Sequence, residues 1–171
     1  YKIAQQVFAE EAAALTNVSE RLDASFDQLV EQAAEISGRI IFIGTGKSQL
    51  VAEKIAASLS SIGNASFAVD AGTAYHGDLG RIAAEDLVLF VSNSGETQEV
   101  LQALFALQQI FHDQLQTVAL TGNTESTLAQ NCSLVFDLGV SEEVDLTKMA
   151  PTASTTAVLA FGDALMVALE K

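Results

Sequence analysis

Five short apolar segments alternate with helix-like segments from Arg39 onward, and this alternation limits the possible folds more than any other feature. Consecutive apolar residues place side chains on both faces of a strand, which is typical of parallel sheets covered by helices on both sides. The sequence therefore predicts an α/β fold with a doubly wound, five-stranded parallel sheet flanked by helices. The predicted strands are 40–43, 65–69, 87–91, 117–120 and 134–138.

Residues 3–36 have the spacing of an amphipathic helix. Apolar residues recur three and four positions apart, beginning with Ile3, Val7 and Phe8. This pattern fits two helices, or one long helix with a break near residues 17–23. We predict an N-terminal helical segment over 1–37, packed on the same domain or on a partner subunit, and a single domain over 38–171.

Three longer helices are predicted between and after the strands. One follows the first strand and carries Val51 and Ile55, and a second follows the third strand and carries Val100. The last helix is predicted to begin just after Pro151, with Thr152 or Ser154 as its N-cap, and to continue to the end of the chain.

The charge of the chain separates the possible classes of ligand. The 171 residues carry 22 acidic and 8 basic side chains, a formal charge of −14, which disfavours nucleic-acid binding.

No apolar run approaches the roughly 18 residues needed to cross a bilayer, and no export signal opens the chain. The only cysteine, Cys132, is expected to be a buried free thiol. We therefore expect a cytoplasmic protein without nucleic-acid or membrane partners.

The loop after the third predicted strand has the composition of an anion-binding site. Residues 92–97 read Ser-Asn-Ser-Gly-Glu-Thr, with three hydroxyls around one glycine. Gly95 allows a close backbone approach, and the following helix N-terminus offers N–H groups and a partial positive charge. The alternative is that Ser94 or Thr97 only caps the helix. We predict that Ser92, Asn93, Ser94, Gly95 and Thr97 bind a phosphate group.

The turn after the first predicted strand reads Gly-Thr-Gly-Lys-Ser at 44–48. A Walker A motif needs glycine at position 41, which is Ile41, and a dinucleotide fingerprint needs Gly or Ala at position 49, which is Gln49. Neither nucleotide motif is met. A cation at a helix start is electrostatically unfavourable unless it serves an anion, so Lys47 is either a ligand contact or a solvated lysine. The predicted contacts in this turn are Gly44, Thr45, Gly46 and Ser48.

Three further titratable side chains lie in predicted loops or helix starts at the same sheet edge. His76 could move a proton near neutral pH, and no second His or Cys has metal-ligand spacing, so we predict no metal. Glu99 lies in the first turn of a helix, where it could also be only a dipole partner. Glu143 follows the fifth strand, and a carboxylate there could act as a general base.

These segments together resemble the sugar isomerase (SIS) domain family over residues 39–169. The most specific match is the Ser92–Thr97 loop directly after a buried strand. The arabinose 5-phosphate isomerase branch of the family is also resembled by the segments 46–48, 76–80, 150–156 and 162–165.

The resemblance implies aldose–ketose isomerisation of a sugar phosphate, of the arabinose 5-phosphate/ribulose 5-phosphate type, through an enediolate and with no metal or cofactor. It places the active-site lysine on Lys47, the histidine on His76, and the two acidic residues on Glu99 and Glu143. A glutamate can take the carbon-bound proton, and Lys47 or His76 can offset charge on the enediolate oxygen. His76 is also the natural acid for ring opening.

The sequence departs from the pattern of this branch at four points. Residues 144–149 stand where the branch usually has a Cys-Pro-Leu-Gly segment, and Thr73 replaces a common glutamate. A further histidine of the branch would lie beyond Lys171, and paired CBS domains have no counterpart here. The departures concern the identity of the sugar and turnover, and they leave the predicted phosphate site unchanged.

Two functions therefore stay open at the level of sequence. An isomerase needs Glu99 or Glu143 to face the sugar carbons, whereas a non-catalytic phosphosugar-binding sensor or regulatory module needs only the phosphate loops. A nucleotide-dependent kinase fails on Ile41 and on the lack of a Walker B partner. We also expect a homodimer or homotetramer, because the apolar helical segment before residue 37 has little evident role in the sheet domain.

Overall fold

The computed structural model describes residues 1–112 and 114–170. Its centre is a sheet of five strands, all parallel, in the order β2-β1-β3-β4-β5. The strand order reverses between β1 and β3, so the predicted doubly wound α/β architecture is confirmed. The strands are β1 Ile40–Gly44, β2 Ser66–Asp70, β3 Leu87–Val91, β4 Gln116–Thr121 and β5 Leu134–Asp137.

Helices cover both faces of the sheet because successive β1 side chains enter different cores. Ile40 and Phe42 belong to the core shared with helices α1, α2, α3 and α6, whereas Ile41 and Ile43 belong to the core shared with α4 and α5. All four of these side chains are buried. The helices are α1 Lys2–Ser19, α2 Ala24–Glu35, α3 Lys47–Ser61, α4 Gln98–Phe111, α5 Thr127–Gln130 and α6 Ala153–Leu169.

The N-terminal segment forms two helices, which decides between the alternatives left by the sequence. Asp23 ends the break, since its carboxylate accepts a hydrogen bond from the backbone N–H of Ser25 (2.8 Å) and caps α2. Both α1 and α2 pack against α6, yet Val18 is the only buried residue of α1. The division into units 1–37 and 38–171 stays a prediction.

The amino ends of β1 and β3 are held together by a buried carboxylate. Asp86 accepts hydrogen bonds from the backbone N–H groups of Arg39 (2.7 Å) and Ala83 (2.8 Å), and from the Arg39 guanidinium (2.8 Å). Burial by itself would raise the pKa of Asp86, but these hydrogen bonds outweigh it and lower the pKa. This anchor lies at the sheet edge opposite the loops with candidate chemistry.

Helices α3 and α6 approach each other closely above the sheet. A Cβ at Gly162 would overlap the side chain of Ile55, so this contact requires glycine. The two helices form one wall of the cleft described next. Over residues 1–112 and 114–170, no helix has the length and apolar character needed to cross a membrane.

Candidate active site

A cleft of about 260 Å³ lies over the carboxyl ends of the strands, beside helices α3 and α6. Its lining includes Val91, Leu120 and Leu138, which lie at or beside the carboxyl ends of β3, β4 and β5. Two predicted phosphate-site residues, Ser48 and Asn93, line the cleft. They flank the point where the strand order reverses, which is where ligands bind in open α/β sheets.

The hydroxyls of the Ser92–Thr97 loop organise the loop itself. The hydroxyls of Ser92 and Thr97 hydrogen-bond each other (2.7 Å), and Ser92 Oγ also accepts from the backbone N–H of Gly95 (3.1 Å). Thr97 occupies the N-cap position of α4, yet its side chain makes no capping hydrogen bond. The cap-only interpretation of Thr97 is therefore wrong, and the N–H groups of the first turn of α4 are not covered by that hydroxyl.

Helix α5 supports the Ser92–Thr97 loop through two backbone hydrogen bonds. The backbone N–H of Thr127 donates to the carboxylate of Glu96 (2.7 Å), and the N–H of Leu128 donates to the carbonyl of Gly95 (3.1 Å). Gly95 has a φ of 66°, and a Cβ there would overlap Ser126 Oγ. Glycine is thus required twice at this position, by backbone conformation and by space.

The turn between β1 and α3 presents backbone and one cation to solvent. Gly46 precedes α3 with a φ of 59°, a conformation that glycine adopts at little cost. Lys47 is exposed and forms no salt bridge within the described part of the chain. Its side chain does not line the cleft, whereas Ser48 does.

The structure does not bring His76 or Glu99 into the cleft lining. His76 ends a short 3₁₀ helix over Ala74–His76 after β2, and Glu99 lies in the first turn of α4; both are exposed. Each follows the carboxyl end of a strand, so each lies at the same sheet edge as the cleft. Within the described ranges, no three His, Cys, Asp or Glu side chains form a group able to hold a metal ion.

Glu143 lies in the cleft wall and caps helix α6. Its carboxylate accepts hydrogen bonds from the backbone N–H groups of Thr152 (2.8 Å) and Ser154 (3.2 Å), and from both of their hydroxyls. The prediction that Thr152 or Ser154 is the N-cap is confirmed for Thr152 by position, but the capping acceptor is Glu143. Thr152 occupies the N-cap position, but its hydroxyl donates to Glu143 instead of accepting from the helix, because a charged acceptor is stronger.

The same hydrogen bonds set the ionisation of Glu143. Partial burial would raise the pKa of its carboxyl, but the donors on Ser154 and Thr152 outweigh burial and lower the pKa from its ordinary value of 4.5. Glu143 is therefore ionised at neutral pH, as a general base must be before it accepts a proton.

A segment after β5, residues 140–151, passes over the outer side of the cleft, and we call it the strap. Glu143 anchors it, and Asp145 shapes its turn by accepting from the backbone N–H groups of Thr147 (3.0 Å) and Ala150 (3.1 Å). Lys148 and Met149 of the strap line the cleft. The sequence interpretation missed these two, since a single lysine or methionine in a loop carries no spacing signal; the Asp-x-Thr turn at 145–147 was the available cue.

Comparisons with known proteins agree with this geometry. A model of the SIS domain matches residues 35–168. The chain is similar to the arabinose 5-phosphate isomerase KpsF of Escherichia coli O6:H1 strain CFT073, with 39% identity over 96% of this chain and 50% of the relative. It is also similar to the arabinose 5-phosphate isomerase KdsD of Pseudomonas aeruginosa, with 38% identity over 97% of this chain and 50% of that relative. The chain thus spans about half the length of the curated relatives it matches.

The fold agrees with a solved structure over nearly its whole length. A protein of E. coli CFT073, solved in complex with arabinose 5-phosphate, superposes with a TM-score of 0.93 at 36% identity, covering 99% of this chain and 88% of that one.

Proposed function

The chain belongs to the SIS domain family, and from that premise we propose that it is an isomerase that interconverts an aldose phosphate and a ketose phosphate through an enediolate. One observation carries the proposal: a residue of the phosphate-type loop, Asn93, and an ionised carboxylate, Glu143, line the same cleft. The reaction needs an anchor for the phosphate and a base near the sugar carbons, and the cleft offers both.

The phosphate end of the substrate is assigned to the loops after β1 and β3. Backbone N–H groups at the start of α4 and the exposed hydroxyl of Ser94 would form a neutral anion cradle, beside the turn at 44–48 at the strand reversal, while the hydroxyls of Ser92 and Thr97 hold the loop in shape. The formal charge of −14 on the chain does not prevent such binding, because these neutral donors act on the phosphate group at short range.

Proton transfer between C1 and C2 is assigned to a glutamate. Glu143 is in the cleft wall, whereas Glu99 lies at the start of α4 beside the phosphate loop, and the two are the candidates for the base. Lys47 and His76 are assigned to offsetting negative charge on the enediolate oxygen and to ring opening. Both lie on segments that follow β1 and β2 at the same sheet edge.

Arabinose 5-phosphate is the substrate we propose, with ribulose 5-phosphate as the product. The support is the naming of the relatives KpsF and KdsD, and the arabinose 5-phosphate bound in the superposed E. coli structure. Since the chain spans about half of those relatives, the proposal concerns the chemistry of this cleft.

We further propose a cytoplasmic homo-oligomer. Helix α1 buries only Val18 and exposes Ile3 and Phe8, and the strap exposes Leu146 and Met149. A second copy packed on these residues would remove apolar surface from water. A single mass equal to one chain, measured by multi-angle light scattering at micromolar concentration, would refute this assembly.

The isomerase is tested by incubating the protein with arabinose 5-phosphate in deuterated water and following proton NMR. Exchange at C2 together with the appearance of ketose supports the proposal. Binding without exchange favours the second function, a phosphosugar-binding module without turnover, which the loops alone would permit. If no member of a panel of sugar phosphates binds, both the isomerase and the binding-module functions are refuted.

The base is identified by two substitutions with a neighbouring control. Replacing Glu99 or Glu143 by Gln is expected to abolish turnover while ligand-induced thermal stabilisation is largely kept. The control is Glu142→Gln, which removes an adjacent exposed carboxylate outside the cleft lining; its kcat should equal that of the wild type. If neither Glu99→Gln nor Glu143→Gln changes turnover, the assignment of the base is wrong.

A further inference from the structure

Lys148 is the only lysine or arginine in the lining of the cleft over the part of the chain that the structure describes. The same lining holds the carboxylate of Glu143, and the whole chain has a formal charge of −14. A phosphate dianion entering a cleft of about 260 Å³ beside a carboxylate meets like-charge repulsion, which a nearby ammonium would offset.

The ammonium of Lys148 is held by an exposed and exchangeable partner. Its Nζ lies 3.1 Å from a carboxylate oxygen of Glu142, and the side chains of Lys148 and Glu142 are 49% and 69% exposed. Exposed ion pairs of this kind contribute little to stability. The pair can therefore open at small cost when a stronger anion arrives in the cleft.

The backbone of Lys148 adopts a conformation that is unfavourable for a lysine. Its φ is 57°, a left-handed conformation that glycine adopts more readily than lysine. The turn around it depends on the carboxylate of Asp145 and on the carbonyl of Asp145, which accepts from the backbone N–H of Lys148 (3.0 Å). Glycine could make the same backbone contact at less cost, so a role of the lysine side chain outside the turn would account for its presence here.

From these observations we propose that Lys148 is a ligand-binding residue of the cleft, whose ammonium leaves Glu142 and pairs with the anionic group of a bound sugar phosphate. The inference rests on the proposed function, since it requires that a phosphosugar occupies the cleft. It adds a charged contact from the strap to the neutral donors of the loops after β1 and β3.

The test measures dissociation constants for arabinose 5-phosphate and inorganic phosphate by isothermal titration calorimetry. Lys148→Met removes the charge, and Lys148→Gly removes the charge while relieving the backbone strain. The matched control is Lys54→Met, because the side chain of Lys54 is also 49% exposed and ion-paired, with Asp163, and does not line the cleft.

We expect both Lys148 variants to bind arabinose 5-phosphate at least about tenfold more weakly than the wild type, as for a lost hydrogen bond to a charged group. The difference should shrink as salt is added, and Lys54→Met should bind like the wild type. Lys148→Gly should melt no lower than the wild type, which separates lost binding from lost folding. Glu142→Gln should bind about two- to threefold more tightly, since the competing carboxylate is gone.

Binding by both Lys148 variants that equals that of Lys54→Met would overturn the inference. Wild-type binding without exchange in deuterated water would refute the isomerase and leave the Lys148 comparison decisive. No binding of either probe by the wild type would overturn both.

Discussion

Replacing Glu143 by Gln should destabilise the fold measurably, because one carboxylate serves four donors at the start of α6. The amide keeps one carbonyl oxygen as an acceptor, but its NH₂ group meets a hydroxyl where an oxygen had been, and the charge at the helix N-terminus is lost. A lost cap contributes about 1 kcal/mol and the helix-dipole term up to about 1 kcal/mol more, so we expect a loss near 2 kcal/mol. For a domain of this size that is about 4–8 °C in Tm.

The stability that Glu143 contributes should decrease as the pH falls. The native hydrogen bonds lower the pKa of Glu143 below its ordinary value of 4.5. A lowered native pKa contributes stability that is fully present above the unfolded pKa and is lost as pH falls through the native pKa. The difference in unfolding free energy between wild type and Glu143→Gln should therefore be constant from neutral pH down to about pH 5, and it should shrink below that.

Chemical denaturation at several pH values measures this difference directly. Glu142→Gln is the matched control: its side chain is 69% exposed, and its loss should change stability by no more than about 0.5 kcal/mol. A cost for Glu143→Gln no larger than that of Glu142→Gln, or a cost that does not change on acidification, would refute the capping role.

Three further predictions concern other parts of the molecule. Gly95→Ala should destabilise the fold by about 1–3 kcal/mol in urea melts and weaken phosphate binding, because its Cβ would collide with Ser126 at a φ of 66°. Cys132 is half-buried, not fully buried as the sequence predicts, and desolvation still raises the pKa of its thiol to about 12. The thiol should therefore react slowly with Ellman's reagent at pH 8 until the protein is unfolded; labelling of the native protein as fast as that of the unfolded chain would contradict this. Asp86→Asn should cost about 3 kcal/mol, against about 0.5 kcal/mol or less for Asp163→Asn in an exposed pair, and equal costs would refute the anchor.

The sheet could be predicted because its signal lies in the chemistry of consecutive residues. Every residue of β1 and β3 is buried, and that burial follows directly from apolar side chains at both strand faces. The N-terminal segment was less determined, since amphipathic spacing alone fits one helix or two. Asp23 decides it through a local capping hydrogen bond that periodicity does not report.

The candidate site was predicted in part, because loops depend on contacts between distant residues. Ser48, Asn93 and Glu143 line the cleft as the strand-end argument implies, whereas the other predicted site residues, the exposed Lys47 among them, do not. Local rules also placed Thr152 at the N-cap of α6, but they did not identify the acceptor for the N–H groups of that helix start. They consider residues beside the helix start, and the acceptor that occupies the site comes from Glu143, nine residues before Thr152.

The two roles given to Glu143, cap and base, constrain each other. A carboxylate with a lowered pKa is ionised at neutral pH, but it is a weaker base than one at its ordinary pKa. Accepting a proton from a sugar carbon would also weaken the hydrogen bonds that hold α6 and the strap, so protonation of Glu143 should loosen the cleft wall. If Glu143 is the base, the acidic limb of kcat/KM should fall below pH 4.5. An acidic limb above pH 5 would assign the proton transfer to another group and leave Glu143 as the residue that positions the strap.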